Sequence, residues 1–184
     1  MRATIINILG ALAAAMALLA GTACGGGDAA TRRLTLAWYG DSITSYQHQA
    51  LKISAPDFDV QDFSVGGKHS DSPLDARDTA DVVILRYGMA DAAHGLTPAQ
   101  TRANLLNLIA LAHAQGRRTI VINVSRTPSC LECATNAAIA DLTDIDVSGI
   151  DGATLDGIHP DEAFAARMAM FIHAELVRLL LTKA

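Results

Sequence analysis

Short apolar, β-branched runs alternate along this chain with stretches of helical periodicity, and that alternation constrains the fold most. Leu34–Tyr39 reads as a buried strand that breaks at Gly40-Asp41-Ser42. Phe58–Val65 alternates in hydrophobicity and ends at Gly66-Gly67. Val82–Tyr87 is apolar and β-branched and runs into Gly88. Thr119–Val124 is a fourth strand, and Leu142–Val147 is expected to be a short fifth, interrupted by Asp144 and Asp146. Helices are predicted over Tyr46–Ile53, over residues 130–140 and from Pro160 to about Leu181. The best defined begins at Thr97: an N-cap threonine, Pro98 in the first helical position and Gln100 to complete a capping box. Leu105, Leu108, Ile109 and Ala112 form its apolar stripe, and Gly116 ends it. Residues 68–80 are polar and loop-like. Such a β-α-β alternation implies an α/β domain over residues 34–184. It would be a three-layer α/β/α sandwich with a central parallel sheet of about five strands, joined by right-handed crossovers.

The overall hydrophobic content of 51% is inflated by the N-terminus. Arg2 is followed by a run from Ile5 to Ala20 broken only by Asn7, and no charge appears before Asp28. The run is short for a spanning helix, which needs roughly 20 apolar residues, and fits an export signal over residues 1–23. Gly21-Thr22-Ala23-Cys24 and the glycines at 25–27 resemble a bacterial lipoprotein signal, with Gly21 where leucine is usual. That resemblance implies lipidation of Cys24, a tether over residues 24–33 and attachment to a membrane of the bacterial cell envelope. In a Gram-negative source this would be the periplasmic side of the outer membrane; the alternative is a secreted protein.

Export also makes sense of three cysteines. With Cys24 carrying lipid, Cys130 and Cys133 remain as a pair, expected to form a local disulfide in an oxidising compartment. A single C-x-x-C lacks the second ligand pair of a zinc site, so no metal is expected. A net charge of −5 and 4% aromatic residues argue against a nucleic-acid face.

Chemistry-bearing residues gather where parallel α/β sheets place their sites, at the carboxyl ends of strands. Gly40-Asp41-Ser42-Ile43-Thr44, Gly66-Gly67 and Gly88-Met89-Ala90-Asp91 each follow a predicted strand, and Asp156-Gly157-Ile158-His159-Pro160 precedes the last helix. Each alone is weak. A serine in a glycine turn is usually a turn residue, and Asp-x-x-His is more often surface or capping chemistry. Their order along the chain is what carries weight.

In that order the blocks resemble the SGNH (GDSL) hydrolases, a family of esterases and lipases. GDSIT at 40–44 is similar to the nucleophile block, DGIHP at 156–160 to the Asp-x-x-His block and SVGG at 64–67 to the glycine block. The resemblance spans roughly residues 34–182 and implies a flavodoxin-like domain. It departs at the third block, where Ala90 stands in place of the asparagine of Gly-x-Asn-Asp.

The resemblance implies a serine nucleophile, Ser42, with His159 as general base and Asp156 as the group that orients the imidazole. Serine is a weak nucleophile until a base accepts its proton, and an imidazole titrates close to neutral pH. Pro160 in the first helical position would put His159 at an N-cap, where the helix dipole opposes its protonation and Asp156 favours it. The oxyanion hole would use the backbone N–H groups of Ser42 and Gly67, with Arg86 and Tyr87 as candidates to replace the missing amide. Asp41 reads as structural and Asp91 as loop-ordering. His48, His69, His94, His113 and His173 read as surface or helix residues.

The implied activity is hydrolysis of a carboxylic ester, with no cofactor. The expected substrate is a small molecule or envelope glycan bearing a short acyl or acetyl group. A lysophospholipase or thioesterase is the alternative within enzymes. A catalytically impaired acyl- or glycan-binding protein is the alternative that Ala90 raises.

Overall fold

Side-chain alternation along a central strand, β1 (Leu34–Gly40), explains why the sheet is covered on both faces. In the computed structural model, which describes residues 32–45 and 57–182, β1 lies between β2 (Phe58–Asp62) and β3 (Val82–Arg86). A fourth strand, β4 (Arg118–Val121), completes a parallel sheet of order β2-β1-β3-β4. Leu36 pairs with Val82, Leu34 with Phe58, and Val82 in turn with Arg118. Every second residue therefore faces the same layer.

Leu36, Trp38, Val82, Ile84, Ile120 and Ile122 form one apolar layer. It is closed by Ala169, Ile172 and Leu176 of the final helix, Glu162–Leu180. Ala37, Tyr39, Val83, Leu85 and Val121 form the other, closed by Leu105, Leu108 and Ala112 of the helix Pro98–Ala114. Each fully buried Leu, Ile or Val contributes roughly 1.5–3 kcal/mol relative to exposure. In chain order the helices are α1 (Met89–Ala93), α2 (Pro98–Ala114), α3 (Cys133–Ala138) and α4 (Glu162–Leu180), with a 3-10 turn at Ala140–Leu142. The capping box of α2 is formed as its sequence predicts: Thr97 Oγ1 accepts from the Gln100 N–H, and the Gln100 side chain accepts from the Thr97 N–H.

The sheet has four strands rather than about five. Ile145 makes a single parallel bridge to Ile122 and goes no further. Side chains take the donors a ladder would use: Asp144 Oδ2 accepts the Val121 N–H at 2.9 Å and Asn123 Oδ1 the Val147 N–H at 2.8 Å. Ile145 and Val147 nevertheless pack into the first apolar layer. β2 stops at Asp62 for a similar reason, because its carboxylate accepts the Ser64 N–H and hydroxyl. The helix expected over Tyr46–Ile53, the signal, Cys24 and most of the tether lie outside the described residues.

The end of β1 is a close backbone crossing. A Cβ on Gly40 would stand 2.1 Å from Thr44 Oγ1 and 2.4 Å from the Arg86 carbonyl oxygen. Gly40→Ala is therefore expected to cost about 1–3 kcal/mol of stability, measured by urea unfolding. A midpoint equal to wild type would show that this crossing relaxes freely.

Candidate active site

The chain leaves β1 through Gly40 and Asp41, and Ser42 opens a helical turn at residues 42–45. Two contacts fix that turn. Thr44 donates its hydroxyl to the Arg86 carbonyl at 3.0 Å. The buried Asp41 carboxylate accepts the Ile43 N–H at 3.1 Å and, with its other oxygen, the Ala90 N–H at 3.0 Å.

The loop before α4 delivers the other two groups. His159 Nε2 lies 2.9 Å from Ser42 Oγ, and His159 Nδ1 lies 2.7 Å from Asp156 Oδ2. Asp156 Oδ1 accepts the backbone N–H of Ile158 at 3.0 Å and of His159 at 2.8 Å. The turn needs Gly157, whose φ of +85° other residues rarely adopt. The His159 backbone N–H, its imidazole and the Ile158 N–H together pull the Asp156 carboxyl down to about 2. Its interactions are thus complete above the ordinary carboxylate range and are lost only as pH falls through about 2. The Asp156 side chain is 53% exposed and the His159 side chain 25%, so water reaches the Asp156 edge of the site.

His159 is not at a helix N-cap. That position belongs to Asp161, whose side chain accepts the Phe164 N–H at 2.7 Å, and Pro160 pairs instead with Thr154 in an antiparallel bridge. The helix dipole acts mainly within the first turn. His159 lies two residues ahead of the cap, with Asp156 Oδ2 at 2.7 Å from its Nδ1.

The glycine block lies beside Ser42: a Cβ on Gly66 would meet Ser42 Cβ at 3.9 Å. Gly67 has a φ of +71° and open space where a side chain would be, so backbone conformation is what requires glycine there. Among the described residues, no hydrogen bond occupies the N–H of Ser42 or of Gly67. Ala90 brings no side-chain donor, and its N–H is taken by Asp41. Arg86 and Tyr87 do not replace it. The Arg86 side chain is buried, with Nε donating to the Asn123 carbonyl at 3.3 Å and Nη2 at 3.9 Å from Met168 Sδ. Tyr87 packs into the layer under α2.

Of the remaining histidines, His113 contacts Thr119 Oγ1 and His173 contacts Asp57; His48 lies outside the described residues. His69 and His94, expected as surface or helix residues, have rings 4.8 Å apart, and His94 Nδ1 is 2.8 Å from the Ala90 carbonyl oxygen. Nothing in their spacing along the chain announces that contact. Cys130 and Cys133 are bonded to each other, with Cα atoms 5.1 Å apart. Their sulfurs, although close to the Glu132 carboxylate, are thereby not free as metal ligands.

No protein-family model matches the chain, and no curated protein matches its sequence. Solved structures do. TesA is 25% identical, with a TM-score of 0.60, over 79% of this chain and 99% of that one. A lipase/acylhydrolase from Enterococcus faecalis is 17% identical, TM-score 0.59, over 83% and 100%. A carbohydrate acetylesterase family member from Sinorhizobium meliloti is 14% identical, TM-score 0.62, over 80% and 99%. The chain has the SGNH hydrolase fold. On that fold, Ser42, His159 and Asp156 come together from turns over a hundred residues apart.

Because Asp156 stays ionised wherever an imidazole titrates, only one proton should govern reactivity at Ser42. Fluorophosphonate labelling of Ser42 is expected to rise with pH along a single ionisation of unit slope. In Asp156→Asn it should slow at least about tenfold, since the imidazole loses the partner that sets its tautomer. A two-proton slope in wild type would assign the acid limb to more than His159.

Proposed function

We propose that this protein is a serine hydrolase of carboxylic esters, acting on a short acyl or acetyl group. The observation that carries the reading is the unbroken relay from Ser42 Oγ through His159 to Asp156, at 2.9 and 2.7 Å. Ser42 Oγ attacks the acyl carbonyl as His159 Nε2 takes its proton. The tetrahedral oxyanion is met by the N–H groups of Ser42 and Gly67. Collapse expels the alcohol, which takes the proton from His159, and leaves Ser42 acylated. Water, activated by the same imidazole, then attacks the acyl-enzyme, releases the acid and restores Ser42. The exposed Asp156 supports a substrate approached from solvent, such as an acylated envelope glycan. The acetylesterase among the structural neighbours is in keeping with that choice.

Two observations favour other readings. Ala90 leaves the oxyanion hole without a side-chain donor, as a catalytically impaired binding protein would tolerate; one such donor is typically worth about 10²–10³ in kcat. Val65 and Leu155, next in the chain to Gly66 and Asp156, are 56% and 67% exposed, which suits a longer acyl chain and a lysophospholipase or thioesterase.

The deciding measurement is hydrolysis of 4-nitrophenyl esters from acetate to octanoate, with fluorophosphonate labelling. Wild type should label and prefer acetate, while Ser42→Ala and His159→Ala lose about 10³-fold or more. Absence of both labelling and turnover in wild type would favour the binding protein; a preference for octanoate would favour the longer-chain enzymes. Ala90→Asn should raise kcat about tenfold or more with KM within about twofold, as expected when a donor acting in the transition state is restored. We further propose lipid attachment at Cys24 and residence in the bacterial envelope. Mass spectrometry of the membrane fraction should find a lipid-modified Cys24 at the mature N-terminus, and an intact, unmodified N-terminus would dismiss the anchor.

A further inference from the structure

Two buried carboxylates link the turn that carries Ser42, the start of α1 and the loop that carries Gly67. Asp41, 2% exposed, holds the Ile43 N–H beside the nucleophile and the Ala90 N–H at the start of α1. One residue on, Asp91 is fully buried, and its Oδ1 accepts the Ser70 N–H at 2.9 Å. Ser70 closes the loop that carries Gly67. The other end of that loop is held by the Val65 N–H, which donates to the Gly40 carbonyl at 3.1 Å. Asn104 of α2 adds a contact to the Ser70 hydroxyl at 3.0 Å.

We infer that Asp91 is a positioning residue: through Ser70 it holds the Gly67 N–H in register with the Ser42 N–H, so that α1 spaces the two halves of the oxyanion hole. This rests on the hydrolase reading above. The chain of contacts runs from Ser42 through Asp41, Ala90, Asp91 and Ser70 to Gly67, and each link from Asp41 to Ser70 is a bond of an N–H to a carboxylate or a peptide bond. Carboxylate acceptors make stronger and shorter bonds to N–H groups than neutral ones do, and burial shields them from competing water. The arrangement matters more here than in a hole with a third donor. Ala90 supplies no amide, so stabilisation rests on two backbone groups whose spacing must be correct at the transition state. A displacement of about 1 Å in such a group can cost about 10²-fold in rate. Asp91 itself touches no reacting atom in this arrangement and acts only through Ser70.

The test compares Asp91→Ala with Asp91→Asn, whose amide oxygen can still accept the Ser70 N–H. The readouts are kcat and KM for 4-nitrophenyl acetate and amide exchange across residues 65–70. Asp91→Ala should lower kcat about 10–100-fold with KM within about twofold, and residues 65–70 should exchange faster. Asp91→Asn should recover most of kcat and of the protection. Thr97→Ala, which loses the α2 capping box and so costs stability away from the site, should leave kcat at its wild-type value. If Asp91→Ala does not fold, Asp91→Leu, similarly branched but without an acceptor, takes its place. Wild-type kcat in the acceptor-less variant would overturn the inference. So would a loss shared equally by Asp91→Asn, a rise in KM at constant kcat, or a fall in kcat matched by Thr97→Ala. A wild-type protein with no esterase activity would instead remove the hydrolase reading, and the oxyanion role of Asp91 with it.

Discussion

The way β1 ends decides everything at the reactive edge of this molecule. Gly40 passes so close to the Arg86 carbonyl and to Thr44 that no other side chain fits without movement. The hydroxyl of Thr44 then ties the first helical turn to the end of β3. Ser42 is presented by this crossing as a strand gives way to a helix, so its position is set by the rigid sheet rather than by a free loop. Sites built on such elements hold their geometry better than sites on loops. The loop that supplies His159 and Asp156 is exposed by comparison, and it is ordered by its own contacts: two N–H groups on Asp156 and the left-handed Gly157 between them.

Electrostatics divides the carboxylates of the site by environment. Asp156 stands in water among donors, and its carboxyl is pulled down to about 2, chiefly by the backbone N–H and imidazole of His159. Asp41 is buried, which pushes its carboxyl up. The Ala90 N–H, the Arg86 guanidinium and the Ile43 N–H act against that push. Burial likewise lowers Arg86 to about 10, while Asp41 favours its charged form. Each of these two interior groups thus favours the charged form of the other, and Arg86 helps Asp41 remain an acceptor for two backbone donors.

Much of this was legible in the sequence because it is local. Strand periodicity, the Thr97 capping box and the blocks at 40–44 and 156–160 are patterns of neighbouring residues, and the fold preserves them. What was illegible depends on side chains competing with backbone. Asp144 and Asn123 take ladder donors and reduce a predicted fifth strand to one bridge. Asp161 takes the N-cap that Pro160 suggested for His159. Both errors concern which of several adjacent polar residues wins a backbone N–H, a matter of fractions of an ångström. The inward direction of Arg86 and Tyr87, and the meeting of His69 with His94, follow from tertiary packing that no spacing along the chain encodes.

The substitution at Ala90 gains its meaning from these contacts. The side-chain amide that the SGNH resemblance implies at this position is a methyl group here, and the Ala90 N–H is already committed to Asp41. The methyl group therefore contributes to packing while α1 keeps its mechanical role. On the proposed hydrolase reading, a hole of two backbone donors would depend on their alignment and on exclusion of water. Yet the Asp156 side chain is half exposed, so solvent reaches the edge of the site. Donors are worth less where water competes with them, because the local dielectric rises. On the same reading, such a hole would be least taxed by an activated ester with a small acyl group, and the alkyl ester of a glycan hydroxyl would lean harder on the alignment of its two backbone donors.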